Sequence, residues 1–156
     1  MQRQKGFSLI ELLIVVAIIL IIAAIAISNL LRARSAANES SAAASIRTIN
    51  TAMISYNSSY PTVGFAANLT ALTGTCTGTI VPTSTGACLI DTTLAAGTKS
   101  GYTFSVQGTS SGYAAWATPQ HMNTTGVRSF CSVADAIVRT NTAPISTCVG
   151  SETPLQ

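Results

Sequence analysis

Apolar and polar positions divide this chain into three regimes. From Phe7 to Leu31 it reads FSLIELLIVVAIILIIAAIAISNLL, with no polar side chain between Leu12 and Ile27. As a helix rising roughly 1.5 Å per residue, that stretch reaches about 37 Å. A bilayer core needs only ~20 apolar residues, so the segment can span a membrane with some tilt. From Arg32 to Asn57 polarity rises, yet neither proline nor glycine interrupts the chain. Ile46, Ile49, Met53 and Tyr56 recur at spacings of three and four, with Ala42 and Ala52 at the edge of the same face. That period marks an amphipathic helix with one apolar stripe, which predicts core packing rather than a cofactor box. The first helix therefore continues through this region until Pro61, because the residue before a proline disfavours helix.

The third regime is loop-rich at first. Asn68 to Leu72 predicts a helical turn, and Asp91 predicts the N-cap of a short helix through Ala96 that Gly97 stops. Pro82 argues against a central strand between Thr75 and Ala87. From Gly101 the period becomes two: Tyr102, Phe104 and Val106 alternate with Thr103, Ser105 and Gln107. A turn over Gly108–Gly112 predicts a returning strand over Tyr113–Thr118 with Trp116 inward. His121–Gly126 reads as a loop, and Arg128–Val133 with Ala136–Thr140 as a second hairpin about Ala134 and Asp135. Tyr56, Phe104, Trp116 and Phe130 are read as core, and Asn141–Gln156 as coil tied back by Cys148. The fold class is α+β, a long helix packed on a small antiparallel sheet of three or four strands. The organisation is a leader over 1–6, a transmembrane and assembly helix over 7–31, its amphipathic continuation over 32–60, and a globular head over 61–156.

One residue makes the first regime more than an anchor. Glu11 is its only formal charge after Gly6. A carboxylate in hydrocarbon costs roughly 2.5–3.5 kcal/mol on insertion scales, less near the end of a span. Arg3 and Lys5 precede the apolar run and Arg32 and Arg34 follow it, so the helix offers this acid no partner of its own. The partner is expected on another molecule.

The flank MQRQKG is short, positive and glycine-ended, and no small-x-small cleavage signal follows the apolar run. Lys5-Gly6-Phe7-Ser8-Leu9-Ile10-Glu11-Leu12-Leu13 closely resembles the class III leader of type IV pilins and their pseudopilin relatives. The resemblance is strong from Lys5 to about Leu31 and holds only in outline beyond it. It implies the pilin fold, and cleavage between Gly6 and Phe7 by a prepilin peptidase that then methylates the Phe7 amine. It also implies pairing of the Glu11 carboxylate with the Phe7 amine of an adjacent subunit. The partners implied are copies of the same chain in a helical filament, that peptidase, pilus or type II secretion assembly machinery, and inner-membrane lipid before assembly. Where many type IV pilins carry a helix-loosening glycine and proline, this chain has Leu20 and Ser28, which predicts an unbroken helix. The function implied is that of a structural pilus subunit. The alternatives are a pseudopilin of a type II secretion system and a minor tip pilin or adhesin.

Composition changes this picture in three places. The net charge of +3 is partly the leader, and without Arg3 and Lys5 six basic side chains face five acidic ones. No basic patch survives, so no nucleic-acid partner is predicted. Basic residues flank the apolar run on both sides and nearly tie the positive-inside rule. The four cysteines, Cys76, Cys88, Cys131 and Cys148, all lie in the C-terminal part and break that tie, because an even set of cysteines suits an oxidising compartment. The chain is thus expected to cross the inner membrane once with its head in the periplasm, and to end in an extracellular pilus. Four cysteines allow three pairings; Cys76–Cys88 and Cys131–Cys148 are favoured because each closes a short loop. The second pair resembles the disulfide-bounded C-terminal loop of many type IV pilins.

The residues for catalysis are missing. A nucleophilic serine or cysteine needs a base, and His121 is the only imidazole. No CxxC and no glycine-rich phosphate loop occur, and the head acids Asp91, Asp135 and Glu152 are too separated for a calcium site. The chain is read as no enzyme, with no cofactor and no metal. The sequons at Asn38, Asn57, Asn68 and Asn123 are read as chance matches on a polar surface.

Overall fold

The computed structural model describes residues 7–74 and 81–155. Helix α1 runs from Leu9 to Ser59 without interruption, through both Leu20 and Ser28. Within it the Ser28 hydroxyl donates back to the Ile25 carbonyl at 3.0 Å, so its polar group is satisfied along the apolar segment. The chain divides into two compact units between Arg34 and Ser35. In the first, every residue of α1 is solvent-exposed or nearly so; every buried residue of α1 lies at Glu39 or beyond.

The second unit is the head. It contains α2 (Leu69–Leu72), α3 (Thr92–Ala95) and six strands: β1 (Thr98–Lys99), β2 (Tyr102–Gly108), β3 (Tyr113–Pro119), β4 (Ser129–Val133), β5 (Arg139–Asn141) and β6 (Thr153–Pro154). The strands form one antiparallel sheet in sequence order. Both short helices start as their caps require. The Asn68 side-chain oxygen accepts from the Ala71 amide, and Asp91 accepts from the Leu94 amide at 2.7 Å. Gly97, at φ +76°, takes the left-handed conformation that ends α3.

The core joins the stripe of α1 to the inner face of the sheet. Ile46, Ile49 and Met53 are wholly buried, Tyr56 nearly so, together with Tyr102, Phe104, Ala115, Ala117 and Phe130. Polar groups within this core are paired. Tyr113 donates to the Asn50 side-chain oxygen at 3.1 Å, and the Asn50 amide donates to the Ala136 carbonyl at 3.1 Å. Burial and the neighbouring Asp135 charge push the Tyr113 hydroxyl up to about 12, against a partial opposing effect of the Ser132 hydroxyl. Gly126 lies so close to Tyr102 that a Cβ there would come 2.0 Å from the Tyr102 hydroxyl. Glycine is thus required where the loop after β3 crosses that ring, whose hydroxyl donates to the Arg128 carbonyl.

Three expectations are corrected. The sheet has six strands rather than three or four, because two-residue strands complete both edges: β1 pairs with β2, and β6 with β5. Such strands are too short to show a period in sequence. The same pairing makes the 141–156 tail partly β rather than wholly coil. Trp116 is not inward. The buried positions of β3 are Tyr113, Ala115, Ala117 and Pro119, and period two leaves Trp116 half-buried on the opposite face, in register with Cys131. The tail roofs that face: Thr118 donates to the Ile145 carbonyl at 2.9 Å.

Candidate assembly segment and head clamps

The first unit presents a surface that water does not favour. Phe7 is 81% exposed, and the large apolar residues from Leu9 to Leu31 are between 46% and 78% exposed. Soluble monomers rarely display so large a continuous apolar area. The helix is long and apolar enough to cross a membrane. Within residues 7–31 the single ionisable side chain is Glu11, and its Oε2 accepts from the Ser8 backbone N–H at 2.9 Å. Ser8 precedes the first helical residue and Glu11 lies three residues on, so this is half of a capping box. The contact holds the carboxylate at the mouth of the helix, beside Phe7. Gly6, the other residue of the expected cut, lies outside the described residues.

The head holds three of its acids in clamps. Glu39, the first buried residue of α1, is 8% exposed. Its Oε1 accepts from the Val127 and Arg128 amides at 2.8 and 3.2 Å, and its Oε2 from Arg128 Nε at 2.8 Å. Burial works against the Glu39 charge, but these donors outweigh it and hold the carboxyl below its ordinary 4.5. The Arg128 guanidinium also lies 5.7 Å from the Phe130 ring centroid. Asp135 takes both ends of the Arg139 guanidinium, and this pairing is the main reason its carboxyl is lowered. Glu152 accepts from the Val149 and Gly150 amides; burial opposes its charge, and those amides outweigh it to lower the carboxyl.

Cys131 and Cys148 form a disulfide with Cα atoms 5.7 Å apart, joining β4 to the tail. The expected partner of Cys88 is Cys76, which lies outside the described residues. Asp91 is the helix cap anticipated for it. Glu39 is the clamp residue that pattern reading passed over. Its signal was present: positions 39, 42/43, 46, 49, 53 and 56 continue the stripe, so an acid at 39 falls on the buried face.

Comparison with known proteins bears on the first unit. Residues 1–27 match the family described as the prokaryotic N-terminal methylation motif. Over 39 residues the chain is 64% identical to the type IV wide pilus major component PilA4 of Thermus thermophilus. The N-terminal segment is similar to that of a type IV pilin. The alignment covers 25% of this chain and 30% of that relative. No solved structure matches the chain. The pilin likeness therefore rests on the segment containing Phe7 and Glu11, and the head is described by its own geometry.

Proposed function

We propose that the chain is a structural subunit of a type IV pilus, made as a membrane-anchored precursor and polymerised through its N-terminal helix. The observation that carries this reading is an apolar helix surface whose single ionisable side chain, Glu11, is held by the Ser8 amide at the helix mouth. Cleavage after Gly6 creates a positive amine on Phe7. Methylation keeps that charge. In a low-dielectric surrounding, the carboxylate of one copy and the amine of its neighbour attract each other, and leaving either unpaired is costly. The exposed leucines, isoleucines and alanines of the segment supply van der Waals packing between helices once they leave lipid. The relative's description as a major pilus component supports a filament subunit over a secretion pseudopilin. The even set of cysteines and the Cys131–Cys148 bond support a head outside the cytoplasm.

Substituting Glu11→Ala tests the pairing. The variant is expected to insert in the membrane at normal levels, while filaments in sheared surface fractions fall at least tenfold. Abundant filaments of this variant would remove the basis for the reading. Gly6→Leu is expected to leave uncut precursor in the membrane, and normal maturation of it would count against the peptidase step.

A further inference from the structure

Open space lies beside the Glu39 clamp of the head. A cleft of about 300 Å³ opens there between α1 and the start of β4. Its helix wall sets the small side chains Ala36, Ser40 and Ala43 beside Glu39, and Phe130 and Leu155 complete the apolar part of the lining. Arg47 rises at one end, four residues beyond Ala43 and so on the same helix face. Arg128 stands on the opposite wall.

We infer that this cleft is a binding site for a small phosphoryl group, held between the guanidinium groups of Arg47 and Arg128. Three features support it. Arg128 is anchored in place: its Nε donates to Glu39 and its plane lies near Phe130, while its two Nη groups make no hydrogen bond among the described residues. A guanidinium fixed at Nε presents its remaining N–H groups as a fork that matches two oxygens of a tetrahedral anion. Arg47 is exposed and forms no ion pair among the described residues. Finally, the Glu39 carboxylate is already met by three N–H donors, two backbone amides and the Arg128 Nε, while Arg47 adds a second positive charge to the lining. The Ser40 hydroxyl on the cleft wall adds a neutral donor. This site is independent of the filament reading, since every residue in it belongs to the head.

The test uses the full chain in detergent micelles, titrated with inorganic phosphate and separately with glycerol phosphate, with sodium chloride holding ionic strength constant. Saturable one-to-one binding of either is expected. Binding by both assigns the site to esterified as well as free phosphate, and binding by inorganic phosphate alone assigns it to the free ion. Arg47→Gln is expected to weaken binding at least tenfold with an unchanged melting temperature in the absence of phosphate. Ser40→Leu, which fills the cleft from the helix side, is expected to do the same. No saturable binding of either ligand, or wild-type affinity in Arg47→Gln, overturns the inference.

Discussion

Glu11 and Glu39 are the two acids of one helix, and their surroundings differ. Glu11 is met by one backbone amide of its own turn; Glu39 is met by two amides and a guanidinium brought from nearly 90 residues away. The first arrangement leaves the carboxylate room for another charge, whereas the second is saturated and structural. Glu39→Gln should therefore destabilise the head by about 2 kcal/mol, since it removes a charged acceptor from three donors. The pH dependence follows from the lowered Glu39 carboxyl. Its stabilisation is present in full above the unfolded-state value near 4.5 and is lost as pH falls through the lower folded-state value. Asp135 and Glu152 are lowered too and act in the same direction. Thermal melts of the wild type should drop steeply below about pH 4.5, and Glu39→Gln should flatten part of that drop. An identical acid slope in both proteins would contradict the assignment of the clamp.

Among the elements, those with long periods were legible in the sequence and the short ones were not. The stripe from Ile46 to Tyr56 and the alternation from Tyr102 to Val106 repeat often enough to declare helix and strand, and Asp91 and Asn68 declare caps by residue type. β1 and β6 hold two residues each and exist only because a neighbouring strand pairs with them. Trp116 was misread because size favours a buried tryptophan, while strand phase is set by Tyr113, Ala115 and Ala117 together. The tail decides how covered Trp116 is, and the Cys131–Cys148 bond ties that tail down. Replacing both Cys131 and Cys148 by serine should cost about 3 kcal/mol in the chain-entropy picture, read as a lower denaturation midpoint. The same variant should shift the emission of Trp116, the only tryptophan, towards the red, because its cover loosens. Unchanged emission would separate Trp116 from the disulfide-held tail.

At the scale of the whole molecule, two units carry two kinds of information. The helix of the first unit is legible, because an unbroken apolar run specifies it, and its motif of six residues carries the likeness to a pilin. It has no core to bury, so its exposed surface makes sense only in lipid or against other helices. The head has a core of its own, and its lesson lies in pairings distant in sequence, such as Glu39 with Arg128, which no local pattern reveals. The account as a whole rests on the first unit being trimmed to create a positive amine that meets Glu11. Mass spectrometry of the N-terminus in material sheared from cells tests that claim most directly. The account predicts a chain beginning at Phe7 with a methylated amine; a sheared protein that still begins at Met1, or at any residue other than Phe7, would contradict it.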